Sequence, residues 1–89
     1  MVEQEVTVIN RLGLHARAAA KLVQLLGQYR SRATLTCKGR EVNGKSIMGV
    51  MMLAAAQGTT VTLRLDGDDE QEALLAACAL FARCFDEGG

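Results

Sequence analysis

An α+β fold is predicted for this chain: an open-faced sandwich, with an antiparallel four-stranded sheet and three helices on one face, in the order βαββαβα. Two observations predict it. Four short segments, near residues 6–9, 33–37, 40–43 and 61–65, alternate apolar and polar side chains or pair across a turn, as strands with one buried face do. Among them lie three stretches with apolar residues at helical spacing, and no linker, repeat or low-complexity segment divides the 89 residues, so positions 1–89 read as a single domain.

Each element has its own local reason. Val6 to Ile9 reads as a strand, Asn10 to Leu14 as a loop held open by Gly13, and Ala16 to Gly27 as a helix whose leucines and Val23 share a face. Ala33, Leu35 and Cys37 alternate with Thr34 and Thr36, and Lys38-Gly39 turns the chain into a short polar partner, Arg40 to Asn43. A short helix follows from Ser46, its expected N-cap. Gly58-Thr59 breaks it, and Val61, Leu63 and Leu65 alternate with Thr62 and Arg64 in the last strand. Asp69 with Glu72 resembles a capping box, after which Leu74, Cys78, Phe81 and Phe85 are expected on one face of the final helix.

Composition removes several function classes. At 49% hydrophobic residues the chain is globular rather than disordered. No run of about 18 apolar residues exists to enter a membrane, and Met-Val-Glu-Gln-Glu is no signal peptide, so a cytoplasmic monomer is expected. Cys37, Cys78 and Cys84 are odd in number and lack a Cys-x-x-Cys pair, which argues against disulfides or a metal centre and for small buried hydrophobes. Three aromatic residues without basic interleaving argue against nucleic acid. Net charge is zero, yet residues 1–45 carry eight basic and three acidic side chains while 46–89 carry two and seven. Arg11, Arg17, Lys21 and Lys45 are thereby expected to form a basic rim suited to acidic partners.

The candidate site is the chain's sole histidine, His15, in Gly13-Leu14-His15-Ala16-Arg17. It falls at the start of a helix, where first-turn N–H groups lack intrahelical acceptors and the dipole is positive. A phosphate on or beside His15 would meet the backbone N–H groups of Ala16 and Arg17 and the Arg17 guanidinium. The same field disfavours an extra proton, leaving a lone pair for nucleophilic attack on phosphorus. A second phosphate signature is weaker. Gly39 to Ser46 matches the G-x-x-x-x-G-K-[ST] pattern, but Arg40 to Asn43 is better used as a hairpin arm and the chain is too short for a nucleotide-hydrolysing core; no cofactor is expected.

The helix after Ser46 is apolar on nearly every side. Val50 and Leu53 are assigned to the core, which leaves Ile47, Met48, Met51 and Met52 as an exposed docking patch, with flexible thioethers suited to several partners.

Gly-Leu-His-Ala-Arg-Ala-Ala-Ala-Lys-Leu-Val at 13–23 and Gly-Lys-Ser-Ile-Met-Gly-Val-Met-Met-Leu at 44–53 resemble the histidine-containing phosphocarrier protein (HPr) family of the bacterial phosphotransferase system. Many members carry proline where this chain has Ala18. The resemblance implies that His15 takes a phosphoryl group from phosphorylated enzyme I, itself charged by phosphoenolpyruvate, and passes it to a histidine of an enzyme IIA domain. It also implies attachment at Nδ1, and phosphorylation of Ser46 by HPr kinase/phosphorylase where that enzyme exists. Ala18, the methionine-rich helix and the Ala-Leu-Phe-Ala-Arg-Cys-Phe-Asp-Glu segment look more like the nitrogen-related regulatory branch than the sugar-uptake branch. The rival outside the family is an adaptor without covalent chemistry that docks through the methionine patch.

Overall fold

The computed structural model describes residues 1–87. Strand β1 (Val2–Thr7) leads to helix α1 (Ala16–Leu26), the hairpin β2 (Arg32–Cys37) and β3 (Arg40–Asn43), helix α2 (Ile47–Met52), strand β4 (Thr60–Asp66) and helix α3 (Glu70–Ala82). The predicted order is therefore present, but β1 begins earlier than the expected 6–9 and ends at Thr7, so Val8 and Ile9 fall in the loop that follows it. The sheet is antiparallel throughout in the order β1-β4-β2-β3, with Val6 opposite Val61 and Leu35 opposite Leu63. No helix among the described residues is long and apolar enough to cross a membrane.

Period-two alternation decides which face of the sheet is covered. Ala33, Leu35 and Cys37 of β2 and Val61, Leu63 and Leu65 of β4 are buried, whereas the intervening threonines and Arg64 stand on the open face. There Arg64 bridges to Glu3 across the β1–β4 pairing at 2.8 Å, an exposed ion pair of small energetic weight. On the covered face α1 contributes Ala18, Ala19, Leu22 and Leu26, and α3 contributes Ala73, Ala77, Leu80 and Phe81. Alanines let the helices approach the sheet closely, while each buried leucine or phenylalanine contributes about 1.5–3 kcal/mol.

Three expectations need correction. Asp69 sits at the N-cap of α3 but makes no side-chain capping bond. Its carboxylate reaches across to the loop after α1, accepting from the backbone N–H groups of Arg30 (2.8 Å) and Ser31 (3.0 Å) and from the Ser31 hydroxyl, so a long-range tie replaces the local box. Phe85 is buried but lies beyond α3, because the chain leaves the helix after Ala82 and enters a turn. Of the cysteines, Cys37 is buried while Cys78 and Cys84 are half-buried, all with free thiols; burial pushes the Cys78 thiol up. The Gly39–Ser46 match to a phosphate loop is spread over the hairpin turn, β3 and the cap of α2, so it forms no continuous anion cradle.

The Asp69 tie has a pH consequence. The Ser31 hydroxyl, then the Arg30 N–H, hold this carboxyl below its ordinary value. A carboxyl lowered in the folded state adds stability that is present above its unfolded value, about 3.9, and is lost as pH falls through the folded one. Asp69→Asn is therefore expected to melt lower than the parent at neutral pH and to lose less on acidification below about pH 4. Thermal melts of both proteins from pH 7 to pH 2 check this; parallel curves would remove the tie from the acid limb.

Candidate functional site: the head of the first helix

The loop between β1 and α1 is held from both sides. Asn10 is fully buried and donates from Nδ2 to the Gly13 carbonyl at 2.8 Å, while the Leu14 N–H donates to the Ala55 carbonyl at 2.9 Å. Gly13 has φ of +68°, and a Cβ there would lie 2.5 Å from the Ala55 oxygen. Only glycine fits both the conformation and the contact. The loop is thus pressed against the segment that follows α2, and His15 emerges at a fixed point.

His15 is the N-cap of α1, in extended backbone geometry, and its Nδ1 accepts from the Arg17 N–H at 3.3 Å. An accepting Nδ1 points its lone pair at the first-turn N–H of Arg17, so the ring proton belongs on Nε2. The side chain is 28% exposed. It opens into a cleft of about 680 Å³ that also gathers Arg11, Arg17, Lys21, Asp86 and Glu87. Arg17 makes no side-chain hydrogen bond among the described residues, leaving its guanidinium available to a ligand. Lys21 is partly committed, donating to the Phe85 carbonyl at 2.7 Å. Lys45 is not at the site at all. Its amine donates to the Tyr29 carbonyl at 2.7 Å, just past the far end of α1, where a cation complements the negative end of the dipole.

The other ring nitrogen of His15 is not free. His15 Nε2 is hydrogen-bonded to Glu87 Oε2, and Glu87 Oε1 accepts from Asn10 Nδ2 at 3.0 Å. Burial alone would raise the Glu87 carboxyl, yet the hydrogen bonds from Asn10 and His15 and the nearby Lys21 charge hold it below its usual value. Glu87 arrives there by an unusual backbone: Cys84, Phe85 and Asp86 have φ of 57°, 55° and 61°. Left-handed geometry costs a non-glycine residue of order 1–3 kcal/mol and persists only when its surroundings impose it. Here Phe85 is buried edge-on against Phe81 with ring centroids 4.9 Å apart, and Lys21 pins its carbonyl.

At the neighbouring α2, the Ser46 hydroxyl accepts from the Gly49 N–H at 3.1 Å as the expected cap. Val50 and Leu53 are buried, whereas Ile47, Met48, Met51 and Met52 are exposed, as the spacing predicted. Ile9 and Leu12, also exposed, add apolar surface on the His15 loop that the sequence does not predict: Ile9 reads as part of the first strand, and an isolated apolar loop residue such as Leu12 carries no period.

Comparison with known proteins adds a second, independent line. The family profile described as the PTS HPr component phosphorylation site matches residues 2–83. A phosphocarrier protein HPr of Xylella fastidiosa is 59% identical over 87 residues, covering 98% of each chain. A phosphocarrier protein NPr of Shewanella violacea is 41% identical, covering 97% of this chain and 94% of its own. Crystalline HPr from Thermoanaerobacter tengcongensis matches with a TM-score of 0.94 at 41% identity, covering 98% of both chains. A profile match over most of the chain, high identity over nearly the full length and the same fold leave one placement: this chain belongs to the HPr family of the phosphotransferase system.

Proposed function

We propose that this chain is a phosphoryl carrier whose acceptor is His15, working as one domain over 1–89 without cofactor or metal. The observation that carries the reading is the cap itself: a histidine whose Nδ1 lone pair lies beside a first-turn N–H, in a cleft with Arg17, whose side chain makes no hydrogen bond among the described residues. Phosphoryl transfer between nitrogens needs little covalent help beyond positioning and charge stabilisation, and both are built in here. The donor is the phosphohistidine of enzyme I, charged by phosphoenolpyruvate, and the recipient a histidine of an enzyme IIA domain. Incubation with enzyme I and phosphoenolpyruvate, read by intact mass, tests this: one acid-labile phosphoryl group per chain is the expected result, and none would favour an adaptor without covalent chemistry.

Within this reading the exposed face of α2 is the docking surface, through Ile47, Met48, Met51 and Met52, for partners met by a cytoplasmic monomer. Ser46 is a regulatory phosphosite for a kinase of the HPr kinase/phosphorylase type. A phosphate there brings a charge of about −1.5 to −2 to the rim of the patch and repels an acidic partner. Higher identity to an HPr than to the NPr favours the HPr kind of carrier over the nitrogen-related branch that Ala18 and the methionine-rich helix suggested. The 41% likeness to the NPr keeps the regulatory branch as the second reading.

Arg17→Ala is expected to slow transfer about 10- to 100-fold. The loss corresponds to about 1.5–3 kcal/mol, the range for a hydrogen bond to a charged group. Stopped-flow rates in both directions check it, and unchanged rates would remove the guanidinium from the transition state.

A further inference from the structure

We propose that Glu87 is a positioning residue for His15: its carboxylate holds the ring as the Nε2–H tautomer, presents the Nδ1 lone pair to phosphorus, and shares the ring's positive charge once Nδ1 is bonded. The proposal rests on the phosphoryl-carrier reading and adds to it a group 72 residues away in sequence.

Three independent placements converge on this contact. Asn10 donates from one Nδ2 to both the Gly13 carbonyl and Glu87 Oε1, so a single buried side chain fixes the loop that carries His15 and the rotation of the carboxylate that meets it. Lys21 stands on the helix that His15 caps, and its bond to the Phe85 carbonyl ties the turn bearing Glu87 to that helix. The run of left-handed residues at 84–86 is a conformation that side-chain-bearing residues avoid, and its effect is to fold Glu87 back onto the cleft. A loosely held surface ion pair would need none of this, and the Glu87 side chain is only 10% exposed.

The division of the imidazole is chemically specific. Nε2 faces the carboxylate and Nδ1 faces the Arg17 N–H, so the two nitrogens have opposite roles before any phosphoryl group arrives. A carboxylate on one ring nitrogen fixes the tautomer and stabilises the cationic ring without taking its proton. In the transfer the Nδ1 lone pair forms the new N–P bond. The bond between phosphorus and the donor imidazole breaks, and its electron pair returns to the donor nitrogen. The donor ring, protonated on its other nitrogen, leaves neutral; the His15 ring keeps its Nε2 proton and gains the positive charge beside Glu87. No added base or oxidant is required, and the reverse step restores the starting tautomer.

The test compares the parent with Glu87→Ala and Glu87→Gln, each labelled with ¹⁵N at histidine. At about pH 9, above the ordinary imidazole range, the parent is expected to show a proton on Nε2 and a bare Nδ1, read from the two nitrogen shifts. With only the long 3.3 Å bond from the Arg17 N–H left to hold the ring, Glu87→Ala should admit the Nδ1–H tautomer beside the Nε2–H one and slow phosphoryl acceptance at saturating donor about 10- to 100-fold, with KM little changed. Glu87→Gln keeps an acceptor oxygen without the charge, so it should restore the tautomer and recover the rate only in part. An unchanged tautomer in Glu87→Ala overturns the proposal. So does faster acceptance in either variant, which would make Glu87 a mask over the site. A parent that shows the tautomer yet accepts no phosphoryl group overturns the carrier reading instead, and with it the transfer half of the proposal.

Discussion

His15→Ala is expected to accept no phosphoryl group from enzyme I and phosphoenolpyruvate while remaining folded. The substitution deletes the nucleophile, and the described residues offer no second imidazole, since His15 is the sole histidine of the chain. The folding cost is limited because what is lost at the helix start is one weak cap, the 3.3 Å bond from the Arg17 N–H. An N-cap removed to alanine costs about 1 kcal/mol, which in a domain of this size lowers Tm by about 4–8 °C. Glu87 keeps its bond from Asn10 and reaches the cleft's water, so it is not stranded. Acid-labile, base-stable phosphate after incubation is the readout, with a thermal melt as the fold control. A folded His15→Ala that still gains such phosphate places the nucleophile elsewhere and removes the basis of the proposed function.

What the sequence revealed and what it hid divide along a physical line. Period-two alternation in β2 and β4 and helical spacing in α1 are local signals, and they gave the element order, the covered face of the sheet and the buried pair Val50 and Leu53. The histidine cap was legible for the same reason: Gly13, His15 and the first helical residues are neighbours in the chain. The other half of the site was not, because it depends on contacts that no window contains. Glu87 lies 72 positions from His15, and only the left-handed turn at 84–86 returns it. A helical period carried on through Phe85 gave no warning of that turn. Long basic side chains mislead in the same way: Lys45 sits in a motif with Ser46 yet spends its charge on the Tyr29 carbonyl. Asp69 looked like a local cap and is a tie between α3 and the loop after α1.

The largest contrast in stability is expected along α2, where neighbouring apolar residues face different surroundings. Met48 is 72% exposed and Met51 42%, while Leu53 at the helix end is 8% exposed. A carboxylate at Met48 stays in water and lies in the first turn, where the dipole favours it; one at Met51 stays in water near the other end, at a cost of a few tenths of a kcal/mol. Both variants are therefore expected to melt within a few degrees of the parent. A carboxylate at Leu53 replaces a packed side chain with an unpaired buried charge, several kcal/mol against a total that for small domains is about 5–15 kcal/mol. Leu53→Asp should be largely unfolded. In a docked complex the ranking reverses. Met48→Asp and Met51→Asp would bury a charge against the partner and should weaken binding to enzyme I about 10- to 100-fold. Ser46→Asp should behave as they do, since aspartate retains an oxygen for the Gly49 N–H while adding charge at the same rim. Calorimetric titration against enzyme I, beside thermal melts of all four variants, decides the matter. Normal binding by both methionine variants would move the docking surface off α2, and melts as poor as that of Leu53→Asp would make those methionines part of the core.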